Sequence, residues 1–151
     1  MKVLFLQNIE GIGGSENYLI KLLPGLKKAG IECEMLSVIP NFRKGDQGSS
    51  DDFKDKLEAE GICVHEIRTS SFVSPSLIYK IRKIYLKGGF DILHSHLIYA
   101  DFWGTWVKLL TGKKAKLVST KHGYQEKIYS GYSLKPNKIP KNLYYQVFRF
   151  C

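Results

Sequence analysis

Apolar and polar positions along this chain switch repeatedly between a strand-like and a helix-like period. Residues 2–7 form a short apolar run, Val3-Leu4-Phe5-Leu6 between Lys2 and Gln7, that reads as a buried strand. The amphipathic run Asn17-Tyr18-Leu19-Ile20-Lys21-Leu22-Leu23 predicts a helix over 15–29, closed by Gly30. Residues 32–38 alternate as a second strand, and the polar, glycine-containing stretch 40–50 reads as a loop. A short helix is predicted over 51–60, with Asp51 and Asp52 against its N-terminal dipole, then Gly61 and a third strand over 62–66. Ser74-Pro75 opens the next helix with a capping residue and a first-turn proline, and Gly88-Gly89 stop it. A fourth strand over 90–96, a helix over 99–110 and a fifth strand over 115–120 follow. Beyond Lys121-His122-Gly123 a long loop runs to Pro140, then an aromatic helix over 141–150. Five strands separated by helices predict an α/β fold: a parallel sheet covered by helices on both faces.

Composition adds limits to this outline. The 151 residues are one domain's worth, with the 44% apolar and 25% charged content of an ordinary soluble protein. No apolar stretch approaches the ~20 residues needed to span a bilayer. The N-terminus turns polar at Gln7-Asn8 before a signal-peptide core could form, so a cytoplasmic protein is the simplest expectation. Cys33 and Cys63 fall in predicted strands and Cys151 is the last residue. Without C-x-x-C spacing they read as buried or unpaired thiols. The formal charge of +9 favours anionic partners, or is simply a basic surface. The helix after Ser74 pairs an apolar stripe (Leu77, Ile78, Ile81, Ile84, Tyr85) with Lys80, Arg82, Lys83 and Lys87. Membrane-surface helices share that pattern, but packing on the sheet is the preferred reading. The segment Tyr144-Tyr145-Gln146-Val147-Phe148-Arg149 reads as uncovered interior surface and not as a nucleic-acid platform, so no nucleic-acid partner is expected. It ends the chain without a following strand, which suggests a chain cut short.

Ligands of such sheets bind beyond the carboxyl ends of the strands, where three loops would collect: 11–16, 94–101 and 120–125. In the first, Gly11-Ile12-Gly13-Gly14-Ser15-Glu16 joins strand to helix, an arrangement that turns backbone N–H groups toward an anion. The third glycine of a dinucleotide fingerprint would fall at Glu16, and strand two ends in Ser37-Val38 without an acid for a ribose. A dehydrogenase site is therefore disfavoured, and no P-loop motif exists. Glu16 reads either as first-turn dipole compensation or as an acceptor for sugar hydroxyls. His94 and His96 share one face of their strand, yet no adjacent acid or cysteine completes a metal set. No metal is assigned, and His96, nearer the carboxyl end, is the better ligand-binding candidate. His122, ahead of Gly123, is placed to donate to a sugar hydroxyl or to act as acid or base.

Together these residues resemble the family-4 retaining glycosyltransferases. Gly13-Gly14-Ser15-Glu16 is similar to their G-G-x-E loop, and Leu26-Lys27-Lys28-Ala29-Gly30-Ile31-Glu32 to their lead-in to strand two. Phe90-Asp91-Ile92-Leu93-His94-Ser95-His96 resembles their D-I-V-H-x-H strand, and Thr120-Lys121-His122-Gly123 their T-x-H-G loop. The resemblance implies the Rossmann-like N-terminal half of a GT-B fold, residues 1–151 forming the acceptor-side domain. It implies transfer from a nucleotide-sugar donor to a glycan or lipid-linked acceptor in cell-surface polysaccharide or glycolipid synthesis, without cofactor or metal. An anionic membrane surface is a candidate partner, with a peripheral place at its inner face. Carried over by position, Gly13, Gly14, His96 and Gly123 would bind substrate, while Glu16 and His122 would be catalytic. The nucleotide-sugar domain with its E-x(7)-E motif has no counterpart here, so this chain alone is expected to be inactive. The competing reading is a noncatalytic flavodoxin-like or Rossmann-like binding module.

Overall fold

A computed structural model describes residues 1–41, 47–112 and 115–121. Its elements are β1 (Lys2–Asn8), α1 (Gly14–Lys28), β2 (Glu32–Pro40), α2 (Gln47–Ala59), β3 (Cys63–Thr69), α3 (Pro75–Gly88), β4 (Ile92–His96), α4 (Leu97–Thr111) and β5 (Lys116–Thr120). The strands pair in parallel in the order β3-β2-β1-β4-β5. The parallel α/β sheet expected from the periodicity is thus present, in the Rossmann-like form that the family resemblance implied. The helix predicted over 141–150 lies outside the described residues.

Alternation along β1 divides the core in two. Val3 and Phe5 face α1 and α2, packing with Met35, Leu19, Leu23, Phe53 and Leu57. Leu4 and Leu6 face α3 and α4, packing with Leu36, Ile81, Tyr85, Leu93 and Trp103. Burying each such side chain contributes about 1.5–3 kcal/mol, so the central strand, buried on both faces, is the fold's principal anchor. The α3 stripe is buried as the packing reading requires: Leu77, Ile78, Ile81 and Tyr85 all lie in the core. Gly89 ends α3 in the left-handed conformation at φ 65°, which glycine adopts without steric cost. On α4, a Cβ at Gly104 would come within 2.7 Å of Leu117 Cδ1, so a larger residue there would require the Leu117 side chain to move. Trp103 then fastens α4 to the segment before α3 by donating its indole N–H to the Phe72 carbonyl at 2.6 Å.

Several boundaries differ from the periodicity. The polar stretch 40–50 is not all loop: Pro40 ends β2, and α2 begins at Gln47. Asp51 and Asp52 therefore stand beyond its first turn, which holds no acid. β3 continues to Thr69 because Ile67, Arg68 and Thr69 pair with Val38, Ile39 and Pro40. α4 starts at Leu97, directly after β4, two residues earlier than predicted.

Candidate functional site

The strand order places β1 between β2 and β4, with α1 leaving one face of the sheet and α4 the other. The carboxyl ends of β1 and β4 are therefore the topological switch point, where a crevice opens. An open cleft of about 670 Å³ lies there, lined by Asn8, Glu10, Gly11, Ile12, Gly13, Glu16, Asp52 and Leu97. The loop read as ligand-facing thus forms one wall.

What shapes the loop is Glu16. Its side chain is 7% exposed, and one carboxylate oxygen accepts the Gly13 backbone N–H at 2.9 Å. The other accepts the side-chain amide of Gln7, the penultimate residue of β1, and the same amide reaches Ser15 Oγ at 3.0 Å. The carboxylate thereby joins the end of β1 to the first turn of α1 and satisfies a donor at the helix start. Of the two readings of Glu16, the helix-start one matches this geometry, while its place in the cleft lining keeps it beside any ligand. The glycines do something other than relieve backbone strain. Gly13 has φ −110°, and the positive-φ glycines among the described residues are Gly30, Gly61, Gly89 and Gly112. Gly14 is exposed, and a Cβ there would meet nothing within 4 Å, which leaves the helix N-terminus open to a ligand.

Left-handed backbone instead occurs at Leu97, φ 69°, the first residue of α4 and part of the cleft lining. For a leucine this costs roughly 1–2 kcal/mol, and it lets α4 follow His96 without an intervening loop. Sequence periodicity carries no signal for such a residue.

His96 is fully buried, with its ring centroid 4.5 Å from that of His94, 5.7 Å from Phe5 and 6.2 Å from Tyr18. The two histidines do share a face, as their spacing requires. His94 bonds Thr120 Oγ1 at 2.8 Å, tying β4 to β5. His122 and Gly123 lie outside the described residues. Immediately before them, Lys121 forms an ion pair with Asp101, which is 2% exposed. Asp101 also accepts Ser95 Oγ at 2.6 Å and Ser119 Oγ at 2.5 Å, so one carboxylate on α4 holds the carboxyl ends of β4 and β5.

Sequence reasoning included Asn8 and Glu10 in the loop stretch and Asp101 at the end of the 94–101 loop but gave none of them a role. It read Asp52 only as compensating a helix dipole. For Asn8 a signal was available: it is a polar side chain ending an apolar strand. Its Oδ1 is buried without a hydrogen-bond partner while the residue lines the cleft. Glu10 and Asp52 join Glu16 to make the lining acidic, with no lysine or arginine among its described residues. Such a wall suits hydroxyl donors and opposes phosphate, except where the first-turn N–H groups of α1 are presented.

Residues 12–151 match the family described as Glycosyltransferase Family 4, and the chain belongs to that family. Three solved structures share its fold. A lipopolysaccharide outer core galactosyltransferase, WaaB, is 18% identical with a TM-score of 0.63, over 81% of this chain and 33% of its own. A glycosyltransferase from Rickettsia africae ESF-5 is 20% identical with a TM-score of 0.56, over 78% of this chain and 28% of its own. Anabaena Alr3699/HepE, solved in complex with UDP, is 22% identical with a TM-score of 0.53, over 79% of this chain and 29% of its own. This chain therefore spans about a third of the length of these proteins. No curated protein matches it. Among the described residues no helix is long and apolar enough to cross a membrane.

Proposed function

We propose that this chain is the acceptor-side domain of a glycosyltransferase that moves a sugar from a nucleotide-sugar donor to a glycan or lipid-linked acceptor. The acidic cleft at the switch point carries this reading. Its carboxylates suit sugar hydroxyls, while the start of α1 beside the lining, left open at Gly14, suits a diphosphate. Among the described residues of the lining there is no basic side chain, and in this reading a second domain supplies the countercharge that a departing diphosphate needs. In this reading Gly13 and Gly14 approach the phosphates and His96 supports the sugar-facing wall. Glu16 shapes the loop beside the reacting sugar, His122 contacts a hydroxyl or acts as acid or base, and Gly123 lets the chain turn beside it. The protein works in the cytoplasm on polysaccharide or glycolipid precursors, peripherally at the membrane's inner face.

The test is a transfer and hydrolysis assay with a panel of nucleotide sugars, run on the 151-residue chain and on a longer protein in which it is joined to a nucleotide-sugar-binding domain. Turnover is expected only from the longer protein, and His122→Ala in that protein should lower kcat by about 100-fold or more. Turnover by the short chain would sink the two-domain reading, and no turnover from either would favour a noncatalytic module.

A further inference from the structure

At the amino-terminal edge of the sheet, away from the cleft, three side chains of different chemistry converge. Glu34 on β2 and Cys63 and His65 on β3 bring an oxygen, a sulfur and a nitrogen within 4.8 Å of one another. The strand register pairs Glu34 directly with Cys63, and alternation puts His65 on the same face. His65 Nε2 lies 2.6 Å from Glu34 Oε2 and 3.9 Å from Cys63 Sγ.

We propose that Glu34, Cys63 and His65 form a binding site for a borderline-soft divalent cation, with Zn²⁺ the best match. Tetrahedral zinc, with bonds of about 2.0–2.3 Å, holds its ligand atoms roughly 3.3–3.6 Å apart. The separations here, from 2.6 Å up to 4.8 Å, bracket that value, and small side-chain rotations on two fixed strands would bring the donors onto one ion. A sulfur and an imidazole nitrogen disfavour Mg²⁺ and Ca²⁺, which take oxygen donors. The side chains of His65 and Glu34 are 33% and 20% exposed and Cys63 is exposed, leaving solvent room for water as fourth ligand.

Lys2 completes the arrangement. Its ammonium lies 2.7 Å from Glu34 Oε1, leaving Oε2 to accept from His65, a bond that an ion seated between the two would replace. When the ion binds, the Cys63 thiol loses its proton to solvent and the thiolate takes the metal. The Nε2–H···Oε2 bond between His65 and Glu34 breaks, His65 takes the tautomer with its proton on Nδ1, and the freed Nε2 lone pair and the Glu34 carboxylate supply the other two bonds. Dication, thiolate and carboxylate then sum to zero charge, so the ion is held without excess charge. Lying away from the switch point, the ion would brace β2 against β3 and take no part in transfer.

The experiment uses untagged, chelator-stripped protein kept reduced with a phosphine. It is titrated with Zn²⁺ by calorimetry and with Co²⁺ by absorption. One equivalent should bind, Co²⁺ should show a sulfur-to-metal charge-transfer band, and Zn²⁺ should raise Tm. Cys63→Ser should abolish that band, and both Cys63→Ser and His65→Gln should weaken Zn²⁺ by at least about tenfold, a loss that even outer-shell changes can cause. Cys33→Ser should change none of these readings, since Cys33 is buried and bonded to the Leu23 carbonyl. Absence of stoichiometric binding by the unaltered protein would overturn the site. So would binding that Cys63→Ser and His65→Gln leave intact.

Discussion

A methyl group added at Gly13 would stand 3.1 Å from the Glu16 carboxylate, whereas at Gly14 it would meet nothing within 4 Å. The two neighbours therefore separate the loop's architecture from its use. Gly13→Ala should push Glu16 off its helix-start bond and destabilise the protein by about 1 kcal/mol, read by urea unfolding. Gly14→Ala should leave stability within about 0.5 kcal/mol while weakening nucleotide-sugar binding by the longer protein, read by calorimetry. Unchanged affinity in Gly14→Ala would remove the close-approach role from that glycine. The distinction was only half legible in the residues. G-G-x-E announced a loop that meets a ligand, but that Glu16 reaches back to Gln7 is a tertiary fact. Leu97, an ordinary leucine in composition, takes the left-handed backbone that glycine would be expected to take.

At the scale of elements, Asp101 determines how the last two strands end. A single carboxylate gathers a serine from β4, a serine from β5 and Lys121 just past β5. Asp101→Ala would remove an acceptor that three donors share, although Ser95 keeps the Val118 carbonyl at 3.2 Å. Removing one partner of a fully buried pair costs about 3–5 kcal/mol, but Lys121 is 28% exposed, so a loss of about 2–3 kcal/mol is expected by denaturant titration. A loss below about 0.5 kcal/mol would show that the network contributes little. The five strands and four helices themselves were readable because buried strands and amphipathic helices differ in period, and Gly30, Gly61 and Gly89 punctuate them. The start of α2 was not, since Gln47-Gly48-Ser49-Ser50 reads as loop by propensity yet forms the first turn of that helix. The end of β3 escaped for a related reason: Arg68 and Thr69 extend as strand because β2 offers partners. Asp101 gave no local signal because its partners lie 6, 18 and 20 residues away.

For the whole molecule, net charge and site charge have opposite signs. The chain carries +9, yet among the described residues the cleft lining holds three carboxylates and no basic side chain. Described basic positions such as Lys80, Lys83 and Lys87 of α3 are exposed outside that lining. This separation suits a domain that offers hydroxyl acceptors to a sugar and leaves most phosphate charge to other groups. The sheet order, inferred only as far as "parallel", supplies the reason the cleft stands between Asn8 and Leu97.

The central placement of β1 has a further consequence in time. Paired on both sides and buried along its length, β1 should keep its amide protons longest. Hydrogen exchange at Leu4, Phe5 and Leu6 should proceed only through global unfolding, with amides of the edge strands β3 and β5 released earlier. Exchange at β1 as fast as at β5 would contradict this. The glycine loop hangs directly from that slowest strand and is clasped to it by Gln7, so this wall of the cleft should be held as still as the core itself.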